Sequence, residues 1–209
     1  GDVYKRQVYA RVHQLSGRMA EAKAAGEKGV ALAQKATDRE KQHAQIFQLL
    51  TSGQGPKGLK LIQSHVQQHQ LDAFALAPAC SVFGLIGFSG RIDREEEQVS
   101  LLKPLEKVYG DDWWFLTVYG FALVEIGEWK RGRDMVERAL EQRPRSAHTA
   151  HVRAHALYEA GEDHALANYL QEWLPDYSSD CPLSCHVWWH LCLAKLMIGE
   201  HDSVFKIYD

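Results

Sequence analysis

The segments "HVRAH" and "HVWWH" each set two histidines four residues apart, His151 with His155 and His186 with His190. On a helix that spacing puts both imidazoles of a pair on one face, one turn apart. Helical zinc motifs use the same i, i+4 geometry. Neighbouring helices lie ~8–10 Å apart, close enough for four ring nitrogens to converge on one ion. Histidine also titrates near neutrality, so a small-molecule site working by proton transfer is open to the same residues. A third reading is a packed, hydrogen-bonded floor with no ligand. Neither pair carries the glutamate of H-E-x-x-H, so a metalloprotease-type base is absent. Cys181, Cys185, His186 and His190 also spell C-x₃-C-H-x₃-H. Cys185 and His186 are adjacent, however, and adjacent side chains diverge on a helix.

What would position such pairs is a repeat. Gly17, Gly53, Gly90, Gly127, Gly161 and Gly199 each follow an apolar stretch, at intervals of 36, 37, 37, 34 and 38 residues. Such a period marks stacked helix-turn-helix units, and ~34 residues is the tetratricopeptide length. In the clearest unit, from Trp113, Leu116, Tyr119, Leu123 and Val136 fill the seam, Gly120 and Gly132 allow close approach, and Pro144 ends the second helix. Start signals agree. Thr37 and Glu40 form a capping box, Asp112 and Ser146 suit N-caps, and Pro56 suits a first turn. Pro104 should break a helix near Lys103. In "VFGLIGFSGR" the triplet-spaced glycines match no phosphate loop, and close helix packing is expected at Gly84 and Gly87. No sustained period-two alternation predicts a strand.

The expected architecture is therefore an all-α, tetratricopeptide-like helical-hairpin solenoid, a right-handed superhelix of five to six hairpins cut at both ends. The opening Asp2–Gln7 is what GAT-GTG-TAT-AAG-AGA-CAG encodes, the mosaic end of a transposase used to prepare sequencing libraries. Residues 1–7 are accordingly read as a library artefact, and 8–209 as one repeat domain. A net charge of −3 offers no clustered basic face for nucleic acid, and no apolar run is long enough to span a membrane. Four unevenly spaced cysteines fit reduced thiols in a cytoplasmic protein better than a disulfide framework.

First helices of such units line the concave groove through positions 2, 5 and 9. Counting places Trp114, Thr117 and Phe121 there in one unit, His148, His151 and His155 in the next, and His186 and Trp189 in the last. An earlier unit from Arg39 presents Glu40, His43 and Phe47. The groove is thus read as lined by imidazole and aromatic groups.

With these residues in hand, the chain resembles the bacterial form of the tetratricopeptide repeat protein 38 family. The resemblance runs over 8–209 and rests on "VFGLIGFSGR", "YGDDWWFLTVYGFALVE", "AHVRAHALYEAGE" and "CHVWWHLCLAKLMIGEHD". It implies a soluble helical-repeat protein and brings no catalytic residue with it. The expected function is a non-catalytic scaffold binding a peptide or protein in its groove. Trp114, Phe121, His148, His151, His155, His186, Trp189 and His190 are the contact set. The alternative is a small-molecule or metal-dependent enzyme whose site is His151, His155, His186 and His190. No cofactor is expected; a divalent metal at those four residues belongs to the alternative.

Overall fold

Every glycine of the periodic set turns the chain through the left-handed region, with φ between +69° and +86°. There a side chain would meet its own backbone, and glycine has none to clash. The computed structural model describes residues 2–80 and 83–208, so the first residue of "VFGLIGFSGR" lies outside them. The described residues are all-α, with no strand among them. The chain divides into two compact units, residues 1–101 and 102–209.

In the first unit, helices α1 (Asp2–Leu15) and α2 (Met19–Leu32) form one hairpin, and α3 (Asp38–Thr51) and α4 (Gly55–Gln68) the next. Asp2–Gln7 continue α1 without a break, and Gln7 is buried with neither end of its amide partnered. The capping box before α3 is complete: the Glu40 amide donates to Thr37 Oγ1, and the Thr37 amide donates to Glu40 Oε2 at 3.0 Å. Glu40 is therefore occupied at the helix start. His43 and Phe47, expected in a groove, are fully buried instead. Tyr4 edges onto the His43 ring, and Phe74 stacks on both rings. Neighbouring helices cover this face, which a count along one helix could not reveal.

The next helix, α5 (Ala73–Leu76), lasts one turn before Pro78 converts it to a 3-10 turn at Ala77–Ala79. The loop that follows corrects the expectation for Gly84. A Cβ there would lie 2.1 Å from the carbonyl oxygen of Cys80, so this glycine permits one backbone segment to cross another within a loop. It does not pack helix on helix. Gly87 opens a second 3-10 turn, Gly87–Ser89, and α6 (Arg94–Leu102) follows.

An ion network around the buried Asp72 carboxylate ties α3 and α4 to the start of α5. The Asp72 carboxylate caps α5 by accepting from the Ala75 amide. It also accepts from His65 Nε2 at 3.1 Å and Arg39 Nη2 at 2.9 Å, and faces His43 Nε2 at 3.3 Å. Burial alone would raise its pKa. The hydrogen bonds from His43 and His65, with the Arg39 guanidinium, outweigh burial and hold the group well below the usual carboxylate range.

The second unit begins at Leu102, and Pro104 forms the expected break as a 3-10 turn between α6 and the short α7 (Glu106–Tyr109). Hairpins α8 (Trp113–Glu125) with α9 (Trp129–Gln142), α10 (Ala147–Glu159) with α11 (Asp163–Trp173), and α12 (Ser184–Met197) with α13 (His201–Tyr208) complete it. Asp112 and Ser146 cap α8 and α10 as their types predict. Helix α8 is buried on all sides from Phe115 to Val124, as a helix apolar all round must be. It meets α9 backbone to backbone: a Cβ on Gly132 would sit 2.6 Å from the Gly120 carbonyl oxygen.

Gly132→Ala should therefore destabilise the second unit by about 1–3 kcal/mol through overpacking, read as an earlier urea midpoint in tryptophan fluorescence. Asp72→Ala strands buried His43 and His65 and should cost about 3–5 kcal/mol by circular dichroism. The Asp72 contribution is present above the unfolded carboxyl pKa of about 4 and is lost as pH falls below it. The gap in urea midpoint between wild type and Asp72→Asn should accordingly narrow as pH drops from 6 towards 2.

Candidate functional site

Helix α10 packs between α8 and α12, so the first helices of three successive hairpins stand side by side. At the α8–α10 seam the Thr117 and Thr149 hydroxyls bond at 2.8 Å, and Thr149 also reaches the capping Ser146 at 2.7 Å. Capping fixes where α10 begins, and hence which of its faces carries His151 and His155. Helix α12 starts differently. Leu183, just before it, has φ +69°, the only non-glycine residue with positive φ among those described. A left-handed leucine costs about 1–2 kcal/mol. Its side chain packs on the core formed by α10, α11 and α12, which helps offset that cost.

The four histidines meet between α10 and α12. His151 Nε2 lies 2.9 Å from His155 Nε2 and 2.8 Å from His186 Nε2, and His186 Nε2 lies 3.2 Å from His190 Nε2. One nitrogen from each ring falls within 4.8 Å of all the others. The rings of each pair are steeply crossed, at 75° for His151 with His155 and 86° for His186 with His190. His151 and His190 are buried, 4% and 7% exposed, while His155 and His186 reach partly into solvent. Phe121 packs on His151 and His155 from α8. Trp189 stacks on His186 and edges onto His190.

Burial comes first in the electrostatics. It pushes the His151 imidazole far below its ordinary pKa and His190 down to about 3, and repulsion from the neighbouring rings adds to both. His186 is lowered by burial and by His155. Near neutral pH these three rings are uncharged and keep a lone pair on one nitrogen, the form a metal takes.

Glu125, at the end of α8, was missed by sequence reasoning. His155 Nδ1 lies 2.9 Å from its Oε1. A carboxylate accepts only, so His155 donates from Nδ1, and in a neutral ring that leaves a bare Nε2 facing the cluster. The signal existed: Glu125 stands four residues beyond Phe121, one turn further along the same face. The remaining expected contacts fall at the margin. His148 is exposed one turn before His151 and contributes no converging nitrogen; Trp114 is half-buried against Tyr109. Cys181 and Cys185 also stay outside the converging set, which is the only one of its kind among the described residues. Chemically, the tetrad can hold a borderline divalent ion or relay protons between neutral rings.

No family model matches the chain. Among solved structures, it is similar to a tetratricopeptide repeat protein from Parabacteroides merdae, with TM-score 0.64 and 9% identity, covering 99% of this chain and 77% of that one. It is also similar to a MamA mutant, with TM-score 0.51 and 19% identity, covering 86% of this chain and 97% of that one. At such identities the likeness is one of fold: this is a tetratricopeptide-like repeat of helical hairpins.

Proposed function

We propose that the chain is a helical-repeat scaffold that binds a peptide or protein segment along the first helices of its second unit, without chemistry of its own. The observation that carries this reading is Trp189, 45% exposed at a position the repeat register assigns to the groove. Exposed His148 and half-buried Trp114 hold position 2 on the neighbouring first helices, the place His186 takes on α12. Tryptophan presents a large apolar face with one polar handle, and such residues dominate binding where they are left uncovered. The groove positions of α8, α10 and α12 include no lysine or arginine. The partner is therefore read as an apolar or aromatic segment rather than an acidic one. Solenoids of this kind are generally used through extended surfaces.

The resemblance to the tetratricopeptide repeat protein 38 family supports the helical-repeat part of this reading. Cys80, Cys181, Cys185 and Cys192 are all free thiols, which supports a reducing compartment such as the cytoplasm. Among the described residues no helix is long and apolar enough to cross a membrane. The converging imidazoles favour a second reading, a small-molecule or metal-dependent site at the tetrad.

A photo-crosslinking amino acid at position 148 should capture a partner from a lysate of the source organism. The same probe at Glu141, on the second helix of the preceding hairpin, should not. Equal capture at both positions, or no capture alongside turnover of a small molecule, would overturn the scaffold reading.

A further inference from the structure

We propose that His151, His155, His186 and His190 form a tetrahedral site for one borderline divalent transition-metal ion, zinc by preference, that clasps α10 to α12. The proposal stands whether or not the groove takes a peptide.

Three Nε2···Nε2 contacts of 2.8–3.2 Å run in a chain from His155 through His151 and His186 to His190. A neutral imidazole has one N–H and one bare nitrogen, so each facing atom can donate or accept but not both. His155 donates from Nδ1 to Glu125, leaving its Nε2 an acceptor. His151 must then supply a proton to His155, and that single N–H cannot also serve the 2.8 Å contact with His186. Two protons are asked to satisfy three contacts. One dication at the centre replaces the protons and gives all four lone pairs the same partner.

Geometry agrees. Zinc–nitrogen bonds of about 2.0–2.1 Å put tetrahedral neighbours about 3.4 Å apart. The four nitrogens already bracket that value, from 2.8 Å for the closest pair to no more than 4.8 Å for any pair. Ring rotation of about an ångström at the nitrogens closes the difference. The crossed ring planes aim the lone pairs from different directions rather than around a square. That favours zinc or cobalt over the planar preference of copper(II) and nickel(II). With no hard oxygen donor among the four, magnesium and calcium are poorly matched.

The surroundings fit the same assignment. Metal-bound histidines usually give their second N–H to a carboxylate, which fixes tautomer and orientation, and Glu125 stands in that place for His155. Its negative charge also offsets part of the ion's. Four protein ligands leave no open coordination position, which is the mark of a structural rather than a catalytic ion. The two ligand pairs come from different hairpins, so the ion joins neighbouring repeats that otherwise meet through side-chain packing.

The test uses the full chain, stripped with a chelator and titrated with Co²⁺ and then Zn²⁺. Bound metal is counted by elemental analysis, and cobalt coordination is read from its visible absorption. Wild type should take up one ion per chain with a tetrahedral cobalt spectrum, and Zn²⁺ should raise its melting temperature. His155→Ala and His186→Ala, both at partly exposed positions, should lose stoichiometric uptake and the thermal shift. His148→Ala should keep both, and Glu125→Gln should bind about 10–100-fold more weakly. Far-UV circular dichroism reports whether each variant folds. Should both alanine variants unfold, the wild-type titration decides alone. Absence of stoichiometric Co²⁺ and Zn²⁺ in wild type overturns the proposal, as does uptake unchanged in folded His155→Ala and His186→Ala.

Discussion

Where α8 crosses α9, two backbones touch: only hydrogen stands between the Gly120 carbonyl and the α-carbon of Gly132. This contact lets the first hairpin of the second unit close tightly, so that α8 can sink completely into the interior. The consequences spread sideways. A buried α8 offers α10 a flat flank, sealed by the Thr117–Thr149 hydrogen bond. α10 in turn sets the position against which α12 must pack. Interiors at crystal-like density do not deform continuously, so spacing set at one helix pair is passed to the next. The histidines converge because each first helix is held at the distance the previous one allows.

The two units solve the problem of buried histidine in opposite ways. In the first, His43 and His65 are fully buried but share the carboxylate of Asp72, with Arg39 completing the charge balance. Every polar group there has an evident electrostatic reason except His43 Nδ1, which is buried without a partner. In the second unit, four rings face one another, and the carboxylate of Glu125 touches only the outer edge, at His155. Neutral rings crowded nitrogen to nitrogen are poorly satisfied by protons alone. The first cluster is therefore a closed structural joint, and the second is a convergence of ring nitrogens from two hairpins.

Much of the fold was legible because it depends on short-range chemistry. Glycine at a ~36-residue interval marks left-handed turns, and Thr37, Asp112 and Ser146 cap helices through their own hydroxyl or carboxylate oxygens. The i, i+4 spacing of each histidine pair guarantees a shared face on a helix. Where the reading failed, loop geometry or distant parts of the chain had intervened. Gly84 looked like a helix-packing residue, but Pro78 had already ended the helix, and the glycine serves a backbone crossing within the loop. His43 and Phe47 occupied groove positions by count, yet Tyr4 and Phe74 cover them. Leu183 adopts a glycine-like conformation that no residue type announced.

The sequence by itself determined that this protein is built of helical hairpins, where most of them turn, and which histidines share a face. Those outcomes follow from interactions within a few residues, which propensity and spacing report directly. Tertiary structure alone decided that the two pairs face each other within 4.8 Å, and that Glu125 from a third helix orients one ring. Both depend on how far each helix is rotated about its axis against its neighbour. That rotation is set by the summed shape of side chains packed across the seam, a quantity spread over residues far apart in the chain.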